Sequence, residues 1–146
     1  MIENRHGLIA DARASLADGV AEREAATLML CDRWRAPRRR TVGADKAYDT
    51  ADFVRLARDV EVTPHVTQNL TRPGGSAIDG RTTRHDGYAM SQHARPRIEP
   101  AFGWLKTIGW MRKVKLRGLP KVDWLVVFAS AAFNLIRLPQ LLASPA

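Results

Sequence analysis

Asp45 and Glu99 are the two carboxylates whose positions suggest chemistry. Asp45 ends a short run, Thr41-Val42-Gly43-Ala44, that reads as a buried strand over 41–45. Glu99 falls near the start of a helical stretch over 97–108. An acid at a strand end and another on a later helix can converge on a divalent cation. Mg2+ takes hard oxygen ligands and needs only one or two protein carboxylates beside phosphate oxygens. Two such ions about 3.5–4 Å apart stabilise the attacking and leaving oxygens of a phosphoryl displacement. By spacing alone the pair is unspecific, because the chain has 15 acidic residues and two solvated surface carboxylates are the plainer reading.

Cations surround these acids. Lys106 follows Glu99 by seven residues, two helical turns, and shares its face with Phe102 and Gly103. Arg95 joins that face only if the helix begins early, which Pro96 and Pro100 oppose. Arg33, Arg35, Arg38, Arg39 and Arg40 form one basic run, and Arg112, Lys113, Lys115, Arg117 and Lys121 a second. With a net charge of +8, these runs suit a DNA backbone, whose phosphates Lys and Arg neutralise. A solvated positive face is the alternative. His6, His65, His85 and His93 match no structural zinc spacing and read as solvated or hydrogen-bonded. Trp104, Trp110 and Trp124 read as core or interface anchors. The single cysteine, Cys31, excludes a disulfide framework and a cysteine-cluster metal site.

The elements that must position these residues follow from periodicity. At 146 residues the chain has the length of one domain. Strands are expected at 6–12, 41–45 and 62–67, the last at an edge because of Pro64. Helices are expected at 21–35, 50–60, 97–108 and 121–138, with Thr50 capping the second and Pro37 stopping the first. Residues 68–88 carry Gly74-Gly75, Asp79-Gly80 and Asp86-Gly87 and read as a long loop. The apolar stretch 122–138 contains Asp123, Asn134 and Arg137, so it reads as a buried or partner-binding helix rather than a membrane span. This alternation predicts an α/β fold with part of the sheet parallel.

Several strings carry a resemblance. Gly43-Ala44-Asp45-Lys46-Ala47-Tyr48-Asp49 resembles the second-aspartate motif of DDE-type transposases of bacterial insertion sequences. Residues 95–106 resemble their glutamate motif, a tyrosine, two residues, an arginine, three residues, the glutamate, six residues and a lysine. Arg95, Glu99 and Lys106 fit that spacing, while Gln92 stands at the tyrosine position. Residues 3–8, 21–26, 64–69, 76–85, 115–118 and 131–135 resemble the insertion sequence 5 group in particular.

The resemblance implies an RNase H-like catalytic core in which three carboxylates hold two Mg2+ (or Mn2+) ions for DNA cleavage and strand transfer. Asp45 would be the second carboxylate and Glu99 the third, both metal ligands. Arg95 and Lys106 would contact DNA phosphate, with Arg38, Arg39 and Arg40 beside them. The first aspartate is not in evidence. Asp11 is the early candidate, yet residues 3–12 resemble the hairpin downstream of the first strand. The whole chain, 1–146, therefore resembles the C-terminal portion of one N-terminally truncated catalytic domain whose first strand is missing, with 121–146 as a C-terminal helix and tail. Such a fragment is expected to be inactive alone, cytoplasmic and DNA-associated, with no membrane partner. Its expected partners are transposon ends and target DNA, and further copies of itself or an intact transposase. The alternative is a non-catalytic DNA-binding or dimerising fragment that regulates an intact transposase.

Overall fold

A computed structural model describes residues 1–32 and 40–143. The chain divides into two compact units. One is continuous, Ala26–Arg95; the other is discontinuous, Met1–Ala25 with Pro96–Ala146.

In the continuous unit, β1 (Arg40–Ala44) and β2 (Val62–Val66) pair in parallel, with Gly43 opposite His65 and Ala44 opposite Val66. Parallel neighbours need a crossover, and α2 (Ala51–Asp59) provides it. The Thr50 side chain accepts from the Phe53 amide at 3.3 Å, satisfying one of the donors that a helix start leaves unpaired. Phe53, Val54 and Ala57 then turn inward against β2, whose Val62, Pro64, His65 and Val66 are buried. The strand expected at 41–45 is present, but it is not buried: Arg40, Thr41 and Gly43 are exposed. Among the described residues the sheet has two strands, so β2 is an edge strand, as Pro64 predicts.

The loop expected over 68–88 is partly helical. A short helix α3 (Gly80–Thr83) precedes α4 (Asp86–Ala94), because Asp86-Gly87 opens a helix rather than a turn. α1 (Ala21–Asp32) begins where expected. The end expected for it at 35, its stop at Pro37, and Arg33, Arg35, Arg38 and Arg39 lie outside the described residues.

A 3-10 turn over Arg95–Ile98 leads into α5 (Glu99–Thr107) of the discontinuous unit, which packs on α6 (Leu119–Ala143). Pro100 sits in the first turn of α5, where a missing N–H costs no helical bond. The strand expected at 6–12 does not form. An isolated antiparallel bridge, Ile2 to Ile9, closes a turn there instead. The reason is that this segment bonds to a helix: Asn134 Oδ1 accepts from the Ile9 amide and its Nδ2 donates to the Ile9 carbonyl, both at 2.8 Å. Asp123 Oδ1 accepts from the Ala14 amide at 2.7 Å, and Arg137 Nε donates to the His6 carbonyl at 2.5 Å. Five extended residues at about 3.3 Å each match eleven helical residues at about 1.5 Å each, so positions 9 and 14 meet 134 and 123 in register.

α6 is long and apolar enough, by length and composition, to cross a membrane. Three of the polar residues along it, Asp123, Asn134 and Arg137, are tied to the strap of residues 6–14. Of the buried or partner-binding helix expected here, the buried alternative needs correction, since only Ala129 and Ser130 are buried while Leu135, Ile136 and Leu142 are exposed.

Candidate active site

In the continuous unit the carboxyl ends of the parallel strands form one rim, the place where open α/β sheets build their sites. Asp45 stands there, exposed, one residue past β1. Its backbone is extended (φ −79°, ψ 177°), and its Oδ1 accepts from the Ala47 amide at 2.8 Å, capping the 3-10 turn Lys46–Tyr48. This bond aims the carboxylate and uses only part of an acceptor capacity of about four lone pairs.

Two layers of hydrogen bonds hold that rim. Asp49, 1 % exposed, accepts from the Asn69 amide at 2.6 Å and from the Ala77 amide at 2.9 Å, while its carbonyl accepts from Arg72 at 2.8 Å. One buried carboxylate thus ties loop 67–78 to the turn that follows Asp45. On the other side, Thr67 donates its amide to the Ala44 carbonyl at 3.0 Å and its hydroxyl to Gln92 Oε1 at 2.6 Å. Gln92 Nε2 donates to the His65 carbonyl at 2.6 Å, and the Tyr88 hydroxyl to the Val66 carbonyl at 2.9 Å. α4 is therefore latched along the end of β2. Burial, the first cause, and the nearby Asp49 charge raise the Tyr88 phenol above its ordinary range, against the Gln68 amide. His65 Nδ1 lies 2.6 Å from Ser91 Oγ, as expected of a hydrogen-bonded histidine.

Asp79 ties α2 to α3. It accepts from Arg58 at 3.0 Å and from Arg81 Nε at 2.9 Å, and its carboxyl is held below the usual range first by the Arg81 bond.

Glu99 belongs to the other unit, on the first turn of α5. Glu99, Phe102, Gly103 and Lys106 are all exposed, whereas Ala101 and Leu105 turn into the core. The spacing of seven thus gives one solvent-facing side, as the sequence implies. Arg95 is also exposed, in the 3-10 turn before the helix. Arg40 lies exposed at the start of β1. Among the described residues no group of three histidine, cysteine or acidic side chains is assembled for a metal ion.

The sequence profile of the transposase DDE domain family matches residues 54–139, more than half of the chain. The chain belongs to the transposase DDE domain family. The matched span runs from α2 into α6 and contains Arg95, Glu99 and Lys106; Asp45 lies before it. No curated protein and no solved structure matches the chain significantly. Membership in the transposase family makes transposition the process and DNA the class of partner.

Gln92, Thr67 and Asp49, which fix the rim, are not identifiable as site residues from sequence. Gln92 stands out there only as a departure from the glutamate motif. The signal for Asp49 is its place in the string that carries Asp45. Trp104 is an anchor as expected, edge-on to Phe133 with ring centroids 5.6 Å apart. Trp110 and Trp124 are exposed, which corrects the core half of that expectation for them.

Proposed function

We propose that this transposase domain uses Asp45 and Glu99 as the second and third carboxylates of its catalytic set, with Arg95 and Lys106 on DNA phosphate. The observation that carries this reading is the solvent-facing side of α5. Glu99 and Lys106 lie there two turns apart, inside the span that matches the family. The RNase H-like fold that the family implies is supported by the parallel β1–α2–β2 unit, with Asp45 at its carboxyl rim. The strings resembling the insertion sequence 5 group support that affiliation.

The donor chemistry fits Mg2+ or Mn2+, because both acids are solvent-facing hard-oxygen donors and Mg2+ accepts one or two carboxylates. Bound ions of this kind stabilise charge on the attacking and leaving oxygens of a phosphoryl transfer. The residues themselves do the rest. The turn at Ala47 orients the Asp45 carboxylate, the Asp49 and Gln92 bonds fix the strand end beneath it, and Lys106 and Arg95 neutralise phosphate. On this reading the remaining carboxylate of the set comes from outside the assigned pair, and the chain works as part of a larger catalytic assembly, in the cytoplasm and associated with DNA.

Mn2+ titration followed by paramagnetic broadening of amide resonances tests the assignment. Broadening centred on residues 44–47 and on 98, 99 and 101, lost in Asp45→Asn and Glu99→Gln respectively, is the expected result. Broadening elsewhere, or none, overturns it.

A second reading is supported by the exposed face of β1 and by the exposed Leu135, Ile136 and Leu142 of α6. It is a dimerising fragment that regulates an intact transposase. Sedimentation as a dimer, with loss of association in Leu135→Ser/Leu142→Ser, would favour it over a catalytic role.

A further inference from the structure

We propose that a groove in the discontinuous unit binds a stretch of single-stranded DNA, with unpaired bases on Trp110 and Trp124 and phosphates on Lys106, Arg112, Lys113 and Lys115. The groove encloses about 800 Å3 and all six of these residues line it. Its described lining contains no acidic side chain.

Three features point to this occupant. The first is Trp110, which is 75 % exposed and has a left-handed backbone, φ 57°. A helix end of this form usually puts glycine at the left-handed position. Here α5 closes with the Met111 amide on the Leu105 carbonyl at 3.1 Å and the Gly109 amide on the Trp104 carbonyl at 3.0 Å. The glycine is used one residue early, since a Cβ at 109 would lie 2.8 Å from the Leu105 carbonyl oxygen. The left-handed conformation therefore falls on a tryptophan whose ring is presented to solvent. Strained conformations of bulky residues concentrate at functional sites.

The second feature is Trp124, 62 % exposed and stacked on Phe128 with ring centroids 5.2 Å apart and planes 9° from parallel. Phe128 backs one face of the indole and makes it a platform. The third is charge, four cations around two aromatic faces. Single-stranded nucleic acid is bound by this combination, because each unpaired base has a π-face and each nucleotide a phosphate. A duplex keeps its base faces stacked inside and offers the same groove only phosphates and base edges.

The inference rests on the DNA reading given above and deepens it. Lys106 lines the groove and also stands two turns from Glu99 on α5. Seven helical residues rise about 10 Å, close to three nucleotide steps of a DNA strand at about 3.4 Å each. A strand engaged at Glu99 would thus reach the groove within a few nucleotides.

The test compares a 12-nucleotide oligo(dT) with a 12-base-pair duplex, using the 146-residue chain and fluorescence anisotropy at fixed salt. Trp110→Gly and Trp124→Ala should each weaken oligo(dT) binding at least about fivefold, the low end for one base–aromatic stack. Duplex binding should change less than about twofold. Because glycine relaxes the left-handed position, Trp110→Gly should keep or raise the melting temperature, which separates lost stacking from misfolding. Equal weakening for both DNAs, or none for oligo(dT), overturns the proposal. So does loss of binding to phosphatidylserine vesicles or to poly-glutamate with oligo(dT) unaffected, which would assign the groove to a membrane or an acidic peptide. Intact duplex binding with no tryptophan effect removes the groove and leaves the transposase reading standing. Failure to bind either DNA removes both.

Discussion

The Thr67 hydroxyl donates to Gln92 Oε1 at 2.6 Å, while the Thr67 amide donates to the Ala44 carbonyl at 3.0 Å. One threonine thus joins the helix that leads toward Glu99 to the strand that delivers Asp45. Gln92 completes the bridge by donating to the His65 carbonyl. Gln92→Ala should remove the shorter bond of the Thr67 hydroxyl, leaving its 3.3 Å bond to the Ala44 carbonyl, and the side-chain bond to the His65 carbonyl. The expected loss is about 1–3 kcal/mol in urea denaturation, and Gln92→Glu, which keeps the acceptor but not the donor, should recover part of it.

Asp49 and Asp45 should separate structure from function. Asp49→Ala strands two half-buried amides, of Asn69 and Ala77, and should destabilise the chain by roughly 2–5 kcal/mol. Asp45→Ala removes only a cap on an exposed turn, which is worth about 0.5–2 kcal/mol. Chemical denaturation of the two variants side by side would show the order. Equal losses would make Asp45 a structural residue.

Tyr88 should set an alkaline limit to stability. Its folded-state value is raised, so the native state holds the phenolic proton more tightly than the unfolded chain does. Stability from this group is complete below the ordinary tyrosine value near 10 and falls as pH rises through the raised folded value. Tyr88→Phe should flatten that decline. Melting curves between pH 8 and pH 11 (values chosen to bracket the titration) would reveal it, and an unchanged slope would exclude Tyr88 as its source.

The arginine run should contribute to the salt dependence of DNA binding. Arg38→Ala, Arg39→Ala and Arg40→Ala together should flatten the log–log salt slope by up to about 0.9 for each phosphate that is no longer neutralised. An unaltered slope would take the run out of the DNA interface.

Asn134→Ala should release the N-terminal strap. The change leaves the Ile9 amide and carbonyl unpaired, at a cost of about 1–3 kcal/mol. Hydrogen exchange at Ile9 should accelerate, while protection in β2 should not change.

Local signals in the sequence are faithful where local physics decides. The cap at Thr50, the places of β1 and β2 to within one residue at each end and the single exposed side of α5 all follow from neighbours a few residues away. The strand expected at 6–12 fails because its backbone partners are side chains more than 100 residues distant. α4 is hidden because Asp-Gly reads as a turn, although an acid in a first turn also opens a helix. On α1, Leu28 shares the helical spacing of the apolar positions yet is exposed, while Leu30 is buried. As core candidates Trp110 and Trp124 mislead for a related reason, since residue type predicts burial on average and a presented ring is the exception. The place of Asp45 is legible because a strand end is a local event; the Gln92 latch beneath it is not.

The strap has a further consequence for synthesis. Residues 6–14 are synthesised before the continuous unit, yet Asn134 and Arg137, their partners, are made after it. The continuous unit, Ala26–Arg95, is complete long before that and draws on nearer contacts. Contacts of large sequence separation form late because loop closure opposes them. The segment carrying Asp45 can therefore settle during translation, whereas the unit carrying Glu99 waits for α6. A nascent chain halted before Asn134 would hold one half of the proposed carboxylate pair in a finished fold and the other in an unfinished one.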